Sequence, residues 1–403
     1  MAVLIPVNEA LERLLQAARP LATQETVPLA DALGRVLAVA QTAMLDVPAY
    51  DNSAMDGYAL NSKDLAGSGT VLPLGQTIAA GHPGTSLQPG TVARIFTGAP
   101  IPPGANAVVM QENTESSVAG IRILEQPRVG QNIRLRGHDI RCGSTVLEAG
   151  RVLQPHDLGL LASLGLSEVA VYRPLTVAIL NTGDEVVAPG QPLAAGQLYD
   201  SNSFTLAGLL TRLGLRVLKL GIVQDTLAGT EEALREAARQ ADCIISTGGV
   251  SVGDEDHVRQ AVANLGELSL WKLAIKPGKP FSFGQVLNKP FFGLPGNPVA
   301  VFVTFVTLVR PALLRMQGAS QVATPALRVQ LGFAINDAGS RQEYLRVKLV
   351  QQGTREPVLE AFSDQGSSLM TSLSWADGLA VIPPHSTFAA GALVTFIPFA
   401  GLY

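Results

Sequence analysis

Apolar residues from Asn8 to Ala18 recur at helical spacing, and a second helix is predicted over Leu29 to Ala38, after an extended segment around Val27-Pro28. From Ala43 to about Ser144 the pattern changes to short alternating segments punctuated by glycine and proline, as in GHPGTSLQPGTVARIFTGAPIPPGANAVVMQE. That alternation reads as a small all-β unit. Leu158 to Leu164 returns to a helical period, so the β unit reads as an insertion into a helical arm.

Leu175 to Met316 follows another grammar, in which apolar strand, glycine-rich turn and amphipathic helix repeat. VAIL (177–180) precedes NTGDE, Val217 to Val223 precedes a helix predicted over Leu227 to Gln240, CIIS (243–246) precedes STGGVSVGDED, and FFGLP precedes a long helix from Pro298. This order predicts a doubly wound parallel sheet with helices on both faces, whose ligands bind outside the carboxyl ends of the strands. After Ser320 the alternation returns in LRVQLGF, LRVKLV, LAVIP and LVTFIPF, predicting a terminal β domain. The expected fold is therefore multi-domain α/β and β. Its parts are a helical arm (1–42 and 145–173), an inserted β domain (43–144), a central α/β domain (174–318) and a C-terminal β domain (319–403).

Composition narrows the function. The chain has 403 residues, longer than one core usually grows, with 47% apolar and 15% charged side chains, as in a compact globular protein with ample buried surface. With 29 basic against 33 acidic side chains there is no net field to draw nucleic acid or anionic lipid, so any anion site is local. Cys142 and Cys243 lie far apart and read as buried small hydrophobes, with no disulfide framework or structural zinc spacing. The N-terminus lacks a secretory pattern, and the longest apolar run, Val299 to Val309, is too short to span a bilayer, which gives a cytoplasmic protein with no membrane partner as the expectation.

The loops at the predicted strand ends carry the chemistry. Asp184, Glu185, Asp225, Asp254, Glu255 and Asp256 would repel one another on one rim without a cation or a hydrogen-bond net, which implies a hard metal. Any single one of them, Asp254 or Glu255 above all, reads more readily as a helix cap or first-turn acid, but several converging on one rim turn the reading toward function. Glycine-rich STGGVSVGDED suits phosphate through its backbone amides. Lys272, Lys276 and Lys279 cluster in WKLAIKPGKPFSFG, a turn stiffened by prolines that suits a small oxyanion; Lys276 and Lys279 are the better placed, and Lys272 also reads as a strand residue. GLPGNP, with Pro295 and Pro298, places helix-start amides at the rim, or is simply a tight turn. DNSAMDGYA gathers Asp51, Asn52, Ser53 and Asp56 in one loop, and in TGAPIPPGANAVV only Thr97 offers chemistry. No Ser/His/Asp triad, HExxH or Walker lysine is present, which points away from a protein nucleophile.

Taken in order, DNSAMDGYA, TGAPIPPGANAVVMQE, RGHDI, NTGDE, YDSN, STGGVSVGDED, WKLAIKPGKPF and GLPGNP resemble the molybdopterin molybdenumtransferases, the bacterial MoeA family and the related gephyrin E domain, over nearly the whole chain. The resemblance implies that adenylylated molybdopterin and molybdate give molybdenum cofactor and AMP, with Mg²⁺ assisting. It also implies an elongated homodimer in which the α/β domain of one subunit and the inserted β domain of the other share a site, and makes the molybdopterin adenylyltransferase a candidate partner. By the same resemblance Asp225 and Asp256 hold Mg²⁺ and Glu185 is a further functional acid. Gly248, Gly249 and Ser251 approach phosphate, Lys276 and Lys279 attract molybdate, and Arg346 and Ser367 are its other ligands, Arg341 competing with Arg346. Asp56, Thr97 and Asp139 match functional positions of the β domain and its junction, while Lys272, Pro295 and Pro298 complete the cofactor-binding set. The rival readings are a scaffold or cofactor-binding paralogue without turnover, and the adenylyltransferase step, which needs the α/β segment alone.

Overall fold

A computed structural model describes residues 4–248, 257–351, 353 and 356–402. The chain divides into two compact units: residues 39–148 with 155–167 form one, and the remainder forms the other.

The larger unit opens with the helix Val7–Ala17, which buries Val7, Ala10 and Leu14, one stripe at helical spacing. The strand Gln24–Pro28 pairs antiparallel with Glu168–Tyr172. The helix expected over Leu29 to Ala38 does not form: only a single 3₁₀ turn, Leu29–Asp31, is present. Gly34 takes a left-handed φ of 73°, and Val36 and Leu37 are drawn into bridges with Val152 and Val171. These long-range backbone hydrogen bonds override a helical apolar spacing.

The central sheet has six strands in the order Arg216–Val223, Thr176–Thr182, Cys243–Thr247, Lys289–Leu294, Pro280–Val286, Gly266–Lys272. Alternation along one strand divides the core. Val177 and Ile179 face the side packed by the helix Asn202–Arg212, while Ala178 and Leu180 face the side packed by Leu227–Gln240 and His257–Leu265. The first four strands are parallel, as predicted, but the last two pairings are antiparallel, so that Pro280–Val286 alone runs against the rest. The cause is the connection: Leu287 and Asn288, both at positive φ (47° and 66°), alone join Pro280–Val286 to Lys289–Leu294, and a two-residue hairpin permits only antiparallel pairing.

From Pro298 to Met316 one apolar helix runs through the core, with a π turn at Phe305–Val309. At 19 residues it is longer than the apolar run Val299 to Val309 suggested and has the length to cross a bilayer, yet it is 94% buried within the protein, as a core helix is. The unit ends in a second six-stranded sheet in which Gln342–Val350 pairs with both Val358–Ala361 and Gly378–Ile382, closing the longer strands into a barrel. The short strand Ile275–Lys276 joins its edge, parallel to Gln342 and Glu343.

The smaller unit is β-rich, as its alternating text predicts. It holds a four-stranded sheet centred on Val92–Ile95 and Gly57–Leu60, a three-stranded sheet centred on Gly120–Ile123, and two short strand pairs. The helix Pro155–Ser163, expected in the helical arm, belongs to this unit, where Leu160 and Leu164 pack with Ala43 and Ile140. Cys243 is buried as expected, and burial raises the pKa of its thiol; Cys142 is instead exposed, its N–H donating to Asp46 Oδ1 at 2.8 Å.

Candidate functional site

The carboxyl ends of the parallel strands open into a cavity of about 940 Å³ in the larger unit. Its floor is polar and buried: Asn181 and Thr182 end one strand, Thr247 ends the next, and Thr247 Oγ1 donates to Asn181 Oδ1 at 2.6 Å. Gly248 follows at φ 82°, where an added Cβ would stand 3.2 Å from the Thr182 carbonyl oxygen, so glycine lets two strand ends approach closely. Glu185 lies in the loop after the first strand. Asp200 caps the helix Asn202–Arg212 by accepting from Ser203 N at 3.0 Å and from the Ser203 hydroxyl, and Asn202 Nδ2 donates to the Gly296 carbonyl at 2.8 Å, fixing the GLPGNP turn.

Cations share the same cavity. Lys276, Lys279 and Arg341 all line the cavity. Lys276 pairs with Glu343 at 2.9 Å, and Arg341 Nη1 donates to the Ile275 carbonyl at 3.3 Å. The turn between the two lysines is tight, with Gly278 at φ 112° and an added Cβ only 2.6 Å from Thr304 Cγ2. The barrel contributes Gln365, Gly366, Ser367 and Ser368. Ser367 reaches the start of the core helix, its carbonyl accepting from Val299 N at 3.0 Å and its hydroxyl from Asn297 Nδ2 at 3.0 Å. Two of the expected helix-start amides are therefore not on offer: Pro298 has no N–H, and that of Val299 is donated to the Ser367 carbonyl.

Of the residues singled out in the sequence, Glu185, Gly248, Lys276, Lys279, Pro295, Pro298, Ser367 and Arg341, the last named as a competitor of Arg346, meet in this cavity. Asp225 sits half-buried in the turn before the helix Leu227–Gln240, and Lys272 ends an antiparallel strand with its side chain exposed; neither is in the lining. Arg346 also fails to reach it: it is 1% exposed, and burial lowers its pKa, opposed by the charge of Asp364. Gly249, Ser251, Asp254, Glu255 and Asp256 lie outside the described residues. Among the described residues no three carboxylate, imidazole or thiol groups gather as metal ligands, and the cavity's acids are Glu185 and Asp200. Asp200, Asn202, Asn181 and Thr247 went unselected, although YDSN and the residues ending VAILNT and CIIST carried the signal.

Asp56, Thr97 and Asp139 belong to the smaller unit. Asp56 Oδ1 accepts from both Thr97 N and Thr97 Oγ1, each at 2.7 Å, and the backbone bond first, then the hydroxyl, holds the carboxyl below the ordinary aspartate pKa. Asp139 borders a hollow of about 390 Å³ with Arg136, His138 and Arg141.

Three family models match in sequence: "MoeA N-terminal region (domain I and II)" over residues 5–165, "Probable molybdopterin binding domain" over 178–315, and "MoeA C-terminal region (domain IV)" over 328–399. A molybdopterin molybdenumtransferase of Haemophilus influenzae is 40% identical over 403 residues, 98% of this chain and 99% of that protein. One from Staphylococcus aureus is 32% identical, over 98% and 95%. Among solved structures, the molybdopterin biosynthesis MoeA protein of Pyrococcus horikoshii OT3 superposes with a TM-score of 0.85 at 29% identity, covering 98% of this chain and 100% of that one.

Proposed function

Because this chain belongs to the molybdopterin molybdenumtransferase family, we propose that it transfers molybdenum from molybdate into adenylylated molybdopterin, forming molybdenum cofactor and releasing AMP. The observation that carries this reading is the cavity that brings Lys276, Lys279 and Arg341 together with the loops of Glu185 and Gly248. The cations draw the molybdate oxyanion, with the Ser367 hydroxyl beside them. By family resemblance Gly248, Gly249 and Ser251 approach the phosphates of the nucleotide end, Gly248 by leaving room for them, since its own N–H is donated to the Leu294 carbonyl at 3.2 Å. No protein nucleophile is required, since positioning and charge neutralisation lower the barrier to breaking a phosphoanhydride.

Mg²⁺ fits the donor set. A hard cation that keeps several waters takes one or two carboxylates together with substrate phosphates, and Glu185 and Asp200 bring carboxylate oxygens to the cavity. Asp225 and Asp256 are the further acids assigned to it by family resemblance. When bound, the ion would neutralise the pyrophosphate. The same reading gives a cytoplasmic homodimer of four-domain subunits, with Asp56, Thr97 and Asp139 acting from the inserted domain of the partner subunit. It also makes the molybdopterin adenylyltransferase the supplier of substrate.

The test is AMP release from adenylylated molybdopterin by the purified protein with Mg²⁺, with and without molybdate, alongside the molybdenum retained on the pterin. Molybdate-dependent release with matching incorporation is expected. Nucleotide binding without turnover would overturn the assignment in favour of a cofactor-binding paralogue.

A further inference from the structure

Arg346 is the largest of the fully buried side chains, at 1% exposure, and stands in the middle of the barrel strand Gln342–Val350. Its guanidinium is spent on neutral acceptors: Nε donates to Ser372 Oγ at 3.0 Å, Nη1 to the Tyr344 carbonyl at 3.3 Å, and Nη2 to the Gly366 carbonyl at 3.0 Å. Its backbone is tied to the same loop. Arg346 N donates to Gln365 Oε1 at 2.9 Å, while Arg346 O accepts from Gln365 Nε2 at 3.1 Å and from Phe362 N at 3.0 Å. One residue beyond Gly366, Ser367 makes its two bonds to Val299 N and Asn297 Nδ2 at the start of the core helix. The cavity wall from Gln365 to Ser368 is thus anchored at one end by a buried cation and at the other on the helix start, and Arg346 is itself absent from the lining.

We infer that Arg346 is a positioning residue and not a ligand of the oxyanion: through Gly366 it sets where Ser367 and its neighbours stand against the Asn297–Val299 turn. The geometry requires arginine. A planar fork can serve a hydroxyl and two carbonyls at once, whereas an ammonium on a flexible stem serves them poorly, and a solute could reach this guanidinium only after these bonds were broken.

The kinetic arm of the test rests on the proposed transferase reaction, and the second arm does not. Arg346→Lys keeps the charge. As a positioning residue its replacement lowers kcat about tenfold or more while the KM for molybdate moves by less than about threefold, because misplaced wall groups cost turnover more than oxyanion capture. Hydrogen exchange at the Val299 amide and across Phe362 to Leu369 rises in the same variant. Ser372→Ala, which removes a single acceptor, gives the same pattern at smaller amplitude, and decides the matter if Arg346→Lys does not fold. A molybdate KM raised tenfold with kcat preserved at saturation would make Arg346 a ligand and overturn the inference. Parental kinetics with unchanged exchange at Val299 would overturn it equally. If the parent protein shows no turnover, the transferase reading fails by itself and the exchange result still decides the role of Arg346.

Discussion

The two six-stranded sheets of the larger unit reach the same cavity by different means. In the α/β sheet the contributing groups are where the topology leaves them: Asn181, Thr247 and Gly248 end or follow parallel strands, and Glu185 and Pro295 lie in the loops just beyond. In the barrel the contributors are Lys276, on the short strand Ile275–Lys276, Arg341, just ahead of the strand Gln342–Val350, and the loop Gln365 to Ser368, braced from behind by Arg346. One contribution is inherited from a fold rule, since ligands collect at the carboxyl edge of such sheets. The other is constructed from particular hydrogen bonds, and changes in the two sheets should fail in different ways.

The largest effect is expected at Gly278, in the turn that presents both lysines. Alanine there must adopt a φ near 112° with its Cβ 2.6 Å from Thr304 Cγ2, so the turn shifts off the core helix. Strain and overpacking of this kind cost about 3 kcal/mol, read as a lower midpoint in denaturant titration together with loss of molybdate-dependent AMP release. Parental stability would show that the α/β wall tolerates rearrangement and that the contrast with the barrel is overstated.

Next is Asp242, at the opposite end of the same sheet, before the strand Cys243–Thr247. Its carboxylate accepts both Arg173 Nη atoms, at 2.8 and 2.7 Å, and Thr176 N at 2.8 Å. Burial works against its ionisation, but these bonds outweigh it and hold its pKa below the ordinary aspartate value. A folded pKa below the unfolded one means stability that is present above the unfolded value and lost as pH falls through the folded one. Asp242→Asn should therefore destabilise by about 2 kcal/mol at neutral pH and flatten the acid limb of the stability profile, leaving the molybdate KM untouched. A changed KM would mean that the far edge of the sheet is coupled to the cavity.

How much could be read in the sequence follows the same division. NTGDE and GLPGNP were legible as cavity loops because the period of strand, turn and helix announces which loops share an edge, and of STGGVSVGDED the described residues Thr247 and Gly248 share it too. The barrel's loop Gln365 to Ser368 has no such announcement: its position depends on a guanidinium some twenty residues earlier in the chain and on the carbonyl of Ser367, neither of which leaves a periodic trace. Resemblance points to Arg346, which is buried away from the lining, while Arg341, named only as its competitor, lines the cavity. WKLAIKPGKPFSFG drew attention as a lysine cluster, which hid the two antiparallel strands flanking the turn. Leu29 to Ala38 had helical spacing, but its backbone groups are claimed by partners more than a hundred residues away.

Lys279→Ala comes third. It removes one of the cations that face the cavity from the α/β side, and the molybdate KM should rise about tenfold with kcat at saturation reduced little, the signature of lost capture rather than lost geometry. A fall in kcat equal to the rise in KM would instead place Lys279 with the positioning groups.

Glu343 is the smallest case and the one that tests where the two sheets meet. The strand Ile275–Lys276 lies parallel to Gln342 and Glu343, so register alone brings the Glu343 carboxylate to 2.9 Å from Lys276 Nζ. Glu343 is largely shielded, at 16% side-chain exposure, whereas Lys276 is 49% exposed, so the pair is a partly screened one. A carboxylate held there competes with an incoming oxyanion for the same ammonium. Glu343→Gln should then lower the molybdate KM, by about threefold at low ionic strength and less as salt is added, because pairs of this exposure contribute on the order of 1 kcal/mol or less. A KM that rises instead would mean that the carboxylate aims Lys276 more than it occupies it, and the barrel would then act on both walls of the cavity by positioning alone.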